Sequence, residues 1–136
     1  MDNMDTIPKI MVIDDGELDS IIFKLVVKRV LHNSNIESCN SGLTAINRLK
    51  FLIEKQPNEL PDYIFLDIMM PLMDGWEFLL EYKKLKIEPI YKSKIYMLSS
   101  SIDRDNILKS LSNPWVEAYL AKPIDVPTLK SIFQAN

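Results

Sequence analysis

Cysteine is nearly absent from this chain: Cys39 is the sole example among 136 residues. An internal disulfide and a thiolate zinc cluster are excluded by arithmetic, and a reducing compartment suits the composition. Excess charge of one sign is missing too. The formal net charge is -3, with Lys and Arg scattered among the acids, so no broad basic face draws nucleic acid or anionic lipid through counterion release. Long apolar runs are lacking, and the acidic start from Met1 to Pro8 has neither the cations nor the apolar stretch of a signal peptide. A cytoplasmic protein with no membrane partner and no direct nucleic-acid contact is expected. No repeat, low-complexity tract or interdomain linker interrupts the chain, so a domain standing alone is the expectation. Its length accommodates one hydrophobic core, and 47% hydrophobic with 26% charged residues is the balance of an ordinary globular domain.

What is present alternates. Short apolar runs are followed by segments of helical period, the pattern of βα units on a parallel sheet. Ile10 to Ile13 forms an uninterrupted β-branched-rich strand, and a helix follows over about Glu17 to Leu31, with Leu18, Ile21, Ile22, Leu25 and Val26 expected to face the sheet. Ile36 to Cys39 is a weaker strand. Ser41 is placed to cap the next helix, which buries Ala45, Ile46, Leu49, Leu52 and Ile53. The stretch from Gln56 to Pro61 reads as a surface loop because its prolines break the helix. Tyr63 to Leu66, Ile95 to Leu98 and Val116 to Leu120 supply three more strands. Helices follow them: about Asp74 to Lys86 with Asp74 as N-cap, a short one marked by Ile107, Leu108 and Leu111, and a terminal one with Pro127 in its first turn, burying Leu129, Ile132 and Phe133.

Asp14, Asp15, Asp67, Ser99 and Lys122 each follow the C-terminal end of a strand, and in open parallel sheets that edge is where ligands bind. Three carboxylates gathered there repel one another unless a cation neutralises them. Mg²⁺ suits them better than Ca²⁺, since it accepts one or two carboxylates plus phosphate oxygens and water. Asp67 can then attack a phosphoryl group as a nucleophile. Lys122 pairs with Asp67 before the reaction and with a phosphoryl oxygen afterwards, while the Ser99 hydroxyl donates to another oxygen.

Four segments together resemble the receiver domain of bacterial two-component response regulators. They are Val12-Ile13-Asp14-Asp15, Asp67 to Gly75 with its Pro71, Leu98-Ser99-Ser100, and Tyr119-Leu120-Ala121-Lys122-Pro123. The resemblance spans about Lys9 to Phe133, with residues 1–8 as a tail and 9–136 as the receiver domain. It implies a flavodoxin-like (βα)5 fold, a three-layer sandwich with strand order 2-1-3-4-5, like that of stand-alone chemotaxis regulators. It also implies phosphotransfer to Asp67 from a sensor histidine kinase or a histidine phosphotransfer protein, slow self-catalysed hydrolysis, and switched binding to a downstream protein by a monomer or a phosphorylation-linked dimer. Asp15, Asp67 and the Met69 backbone carbonyl are implied as direct Mg²⁺ ligands, and Asp14 as a largely water-mediated one. Lys122 is implied to pair with the phosphoryl group, Ser99 and Tyr119 to form the switch, and Lys122-Pro123 to be a cis peptide.

Some residues depart from that pattern or have blander readings. Gly16 stands where a polar or acidic side chain is common, Met69 and Ser101 occupy positions that tune hydrolysis, and Ser99 replaces the equally familiar Thr. His32 reads as an exposed residue complementing a helix C-terminus. Cys39 reads as a small buried hydrophobe, and Trp76 and Trp115 as core or rim residues, Trp76 lying close to Asp67. Two alternatives stand beside the receiver. One is a pseudo-receiver that binds partners without phosphorylation. The other is a haloacid-dehalogenase-like phosphatase, which needs a second acid where this chain has Met69.

Overall fold

The computed structural model describes residues 7–87 and 89–134, so the expected tail over 1–8 lies largely outside the described residues. Strands and helices alternate along the chain: β1 (Lys9–Ile13), α1 (Glu17–Val30), β2 (Asn35–Cys39), α2 (Gly42–Lys55), β3 (Tyr63–Asp67), α3 (Gly75–Lys84), β4 (Lys94–Ser99), α4 (Arg104–Leu111), β5 (Val116–Ala121) and α5 (Val126–Gln134). All strand pairs are parallel, in the order β2-β1-β3-β4-β5. This is the expected flavodoxin-like arrangement. Because successive strand residues point to opposite faces, each central strand serves two cores. Ile10, Val12, Tyr63, Phe65, Tyr96 and Leu98 pack with Phe23 and Val27 of α1 and Leu129 and Ile132 of α5. Met11, Ile13, Ile64, Leu66, Ile95 and Met97 pack with Leu49 and Leu52 of α2 and Phe78 and Tyr82 of α3. Phe65 lies at the centre of the first core, its ring centroid 4.8 Å from that of Phe23 and 5.3 Å from that of Tyr96.

The face of α1 is rotated from the one expected: of that set Ile22 and Val26 are partly buried, Val26 against the core, but the rest are not. Its buried residues are Ser20, Phe23 and Val27, while Leu18, Ile21 and Leu25 are 67%, 49% and 57% exposed. The helix carries two apolar stripes about two residues out of phase, and Phe23 wins the inward position because its ring fills the space beside Phe65. In α4, Leu108 and Leu111 are likewise exposed. The Gln56 to Pro61 loop contains a 3₁₀ turn, Pro57–Glu59, and buries Leu60. Helix α3 stops at Lys84, two residues early, as Lys86 adopts a left-handed backbone at φ 55°. The caps fall where expected: Ser41 accepts from the Thr44 N–H, and Asp74 forms a capping box with Glu77.

Candidate functional site

Three strand ends and their backbone ties build the site. Beyond β1, the Asp14 N–H donates to the Cys39 carbonyl at 3.0 Å, and the Gly16 N–H donates to Asp14 Oδ1 at 2.8 Å, closing a turn over the carboxylate. Asp67 ends β3, with the next N–H, that of Ile68, donating to the Leu98 carbonyl. Helix α3 starts hard against this end. A Cβ on Gly75 would stand 2.9 Å from the Asp67 carbonyl oxygen and 3.0 Å from Ile68 Cα, so glycine is what allows the approach. Lys122 leaves β5 with its N–H donating to the Ser99 carbonyl at 2.8 Å, and the Lys122-Pro123 peptide is cis, as the resemblance implies.

Carboxylate oxygens of Asp14, Asp15 and Asp67 lie within 4.8 Å of one another. Asp14 and Asp67 are each only 3% exposed, whereas Asp15 opens to solvent. Into this group reaches the Lys122 ammonium, 3.0 Å from Asp14 Oδ2, 2.9 Å from Asp19 Oδ2 and 3.5 Å from Asp67 Oδ1. The expected pairing with Asp67 is present, but it is the longest of the three. Burial and the neighbouring Asp14 push the Asp67 carboxyl up from 3.8 to about 6, against the opposing pull of Lys122 and of the Met69 N–H, which donates to Oδ1 at 3.3 Å. For Lys122, burial favours the neutral amine, but hydrogen bonds to Asp19 and Asp14 and the charge of Asp67 outweigh it and hold the ammonium above its ordinary range. Even with that ammonium in place, the cluster carries surplus negative charge. An all-oxygen donor set open to solvent on the Asp15 side fits a hard divalent cation such as Mg²⁺.

Ser99 and Tyr119 meet at one atom. The buried Ser99 hydroxyl donates to the Ser101 carbonyl at 2.7 Å and accepts from the Ser101 N–H, and the half-buried Tyr119 hydroxyl donates to the same carbonyl at 3.1 Å. Met69 turns its side chain to solvent, 70% exposed. Cys39 is buried, and burial together with Glu37, partly offset by Arg48, pushes its thiol up to about 11, which leaves no nucleophilic thiolate. His32 is exposed just beyond α1. Trp76 is half-buried on α3, and its indole N–H donates to Asn106 Oδ1 of α4 at 3.0 Å.

Sequence reasoning missed Asp19. Its place in the first turn of a helix that starts at the site's edge was the available signal, but acids there ordinarily complement the helix dipole. Beside Asp14 and Asp15 an open cleft of about 650 Å³ runs between α1 and α2, lined by Ser20, Ile21, Lys24 and Thr44 among others. Among the described residues, no helix is long and apolar enough to cross a membrane.

Residues 10–134 match the profile of the response regulator receiver domain. A solved two-component response regulator from Cytophaga hutchinsonii is 29% identical, superimposes with a TM-score of 0.86, and is matched over 95% of this chain and 96% of its own. The "Probable methanogenesis regulatory protein FilR2" of Methanothrix harundinacea is 27% identical over 89% of this chain and 76% of its own length. The "Probable C4-dicarboxylate response regulator DctR" of Bacillus subtilis is 25% identical over 93% of this chain, which spans only 50% of that protein.

Proposed function

The chain belongs to the response regulator receiver domain family of two-component systems, and from that premise we propose that Asp67 is its phosphoacceptor. The observation that carries this reading is the convergence of Asp14, Asp15 and Asp67 with the Lys122 ammonium at one sheet edge. Held near 6, the Asp67 carboxyl is largely ionised at neutral pH and so nucleophilic. One of its oxygens attacks the phosphorus of a phosphohistidine on a kinase or phosphotransfer protein. The P–N bond breaks, and the leaving imidazole takes a proton from solvent. Hydrolysis reverses the state: water attacks phosphorus, the P–O bond to Asp67 breaks, and inorganic phosphate leaves. Self-catalysed phosphorylation and dephosphorylation make this a signalling domain that turns over no separate substrate.

Asp15, Asp67 and the Met69 carbonyl would hold Mg²⁺, with Asp14 acting mainly through water. When bound, the ion neutralises charge on the transferring group. Lys122 supplies the second positive charge. The Ser99 hydroxyl, in turning to a phosphoryl oxygen, gives up the Ser101 carbonyl that Tyr119 also holds, so the two side chains form the switch through that shared acceptor. We place the phosphodonor on the exposed Leu18, Ile21 and Leu25 stripe, since Ile21 also lines the cleft beside Asp14 and Asp15. The receiver unit over 9–136 with a tail over 1–8, a downstream protein partner and a cytoplasmic location complete the proposal.

The test is intact mass after incubation with acetyl phosphate and Mg²⁺. Wild type is expected to gain one phosphoryl group and Asp67→Asn none; an unmodified wild type refutes the reading. No observation favours the pseudo-receiver, because the acids, the lysine and the hydroxyl are all in place. The phosphatase alternative lacks its second acid at Met69.

A further inference from the structure

We propose that Asp19 is a positioning residue that holds the Lys122 ammonium at the rim of the site until a phosphoryl group on Asp67 draws it inward. This rests on Asp67 being the phosphoacceptor. Three observations carry it. First, the shortest contact of Lys122 is to Asp19 Oδ2, at 2.9 Å against 3.5 Å to Asp67 Oδ1. The lysine side chain is 13% exposed and that of Asp19 48%, so the pair straddles the boundary between site and solvent.

Second, Asp19 is not used as a helix cap. With Gly16 as N-cap, Asp19 stands at the third helical position, from which an acidic side chain commonly reaches back to the N-cap N–H. Here that N–H is already donated to Asp14 Oδ1, which leaves the Asp19 carboxylate to turn toward Lys122.

Third, the space for this turn exists because residue 16 lacks a side chain. A Cβ on Gly16 would stand 3.1 Å from Asp19 Oδ2, the atom bonded to Lys122, and 3.3 Å from Asp14 Oδ1. The backbone there is extended, φ -89° and ψ 114°, a conformation any residue adopts, so glycine answers to the neighbouring carboxylates and not to backbone geometry. Gly16 and Asp19 thus act together.

In pairing with a phosphoryl oxygen, Lys122 gives up Asp19. The Asp19 contact therefore stabilises the unphosphorylated form alone and opposes activation by its own strength. Two measurements test this, both on the full chain with Mg²⁺: the affinity for beryllofluoride, a phosphoryl mimic, and the ¹⁵Nζ resonance of the Lys122 ammonium. Asp19→Asn is expected to bind beryllofluoride about threefold to fivefold more tightly, the factor that a half-exposed ion pair carries, and to move the ammonium resonance in the free protein. Glu17→Gln removes an equal charge from the same turn and lines the same edge without pairing to Lys122. It is expected to leave the resonance in place and the affinity within twofold. Equal gains in both variants would reduce the effect to bulk charge and overturn the latch, as would an unchanged or weakened Asp19→Asn. If wild type takes up neither acetyl phosphate nor beryllofluoride, the phosphoacceptor reading fails. An Asp19→Asn resonance that does not move then overturns the latch separately.

Discussion

Replacing Asp67 with Asn is expected to stabilise the protein at neutral pH without divalent cations. Asp67 is buried beside Asp14, and its carboxyl is raised from 3.8 to about 6. A raised acid pKa means that the folded state binds the proton more tightly than the unfolded chain does. Below about pH 3 the group is protonated in both states and costs nothing. As pH rises from about 3 to about 6 the unfolded chain ionises first and stability falls. Above about 6 the full cost is present and constant. The displacement corresponds to about 3 kcal/mol at about 1.4 kcal/mol per pH unit, as an upper value, since the amide keeps part of the desolvation cost. The attraction of Lys122 is already contained in this net displacement.

The assay is urea unfolding of wild type and Asp67→Asn in EDTA at about pH 3 and about pH 7.5. Carboxylates remote from the site titrate alike in both proteins and cancel in the difference, so the gap reports Asp67 together with the groups it touches. The variant should be up to about 3 kcal/mol more stable at pH 7.5, a rise in Tm of roughly 10 °C for a domain of this size, and should match wild type at about pH 3, below the unfolded-chain value of 3.8. Millimolar Mg²⁺ should narrow the gap by stabilising wild type through mass action while leaving the variant unchanged. A variant no more stable than wild type at pH 7.5, or a gap that persists undiminished at about pH 3, refutes the claim that burial and Asp14 load the site with charge.

Asp15→Ala should abolish both the heat of Mg²⁺ binding in calorimetry and the Mg²⁺ response of tryptophan fluorescence, since Trp76 follows Gly75, which packs on the Asp67 backbone. Gly75→Ala drives a methyl group into the Asp67 carbonyl and Ile68 Cα; a loss of about 1–3 kcal/mol in urea unfolding is expected, together with slower labelling by acetyl phosphate. Leu25→Glu, at an exposed position, should change stability by less than about 0.5 kcal/mol and leave acetyl phosphate labelling intact, yet slow transfer from a phosphohistidine donor. Unchanged transfer would remove the donor from the α1 stripe.

Much of this architecture was legible in the residues because local and global signals agree. The strand ends at Asp67, Ser99 and Lys122 could be read from apolar runs that stop abruptly, and the caps at Ser41 and Asp74 from side chains that satisfy free helix N–H groups. The inward face of α1 was only partly legible, since Val26 packs on the core as expected but Phe23 and Val27 hold its centre. Two apolar stripes compete on that helix, and the choice depends on Phe23 meeting Phe65 from a strand more than 40 positions away, which periodicity cannot report. Asp19 was hidden for a similar reason. Its partner is 103 residues distant, and its freedom to reach that partner depends on Asp14 having taken the N-cap N–H first.

Burial divides the labour among the four carboxylates around Lys122. Asp14 and Asp67 are withdrawn from water, where mutual repulsion is least screened, and Asp15 and Asp19 stand at the rim, where charge is held cheaply. One ammonium cannot satisfy all of them. It settles between Asp14 and Asp19, the two contacts that are hydrogen-bonded, and lies farther from Asp67, at 3.5 Å, whose carboxyl burial and the charge of Asp14 push up to about 6. An inward move of Lys122 strips charge compensation from Asp14 and Asp19 together. If Asp67 accepts a phosphoryl group, as proposed, the new negative charge there favours that move, and positive charge facing Asp14 eases it by replacing the compensation that Asp14 loses. On that reading the position of Lys122 responds to the charge on Asp67 and to the charge beside Asp14 together.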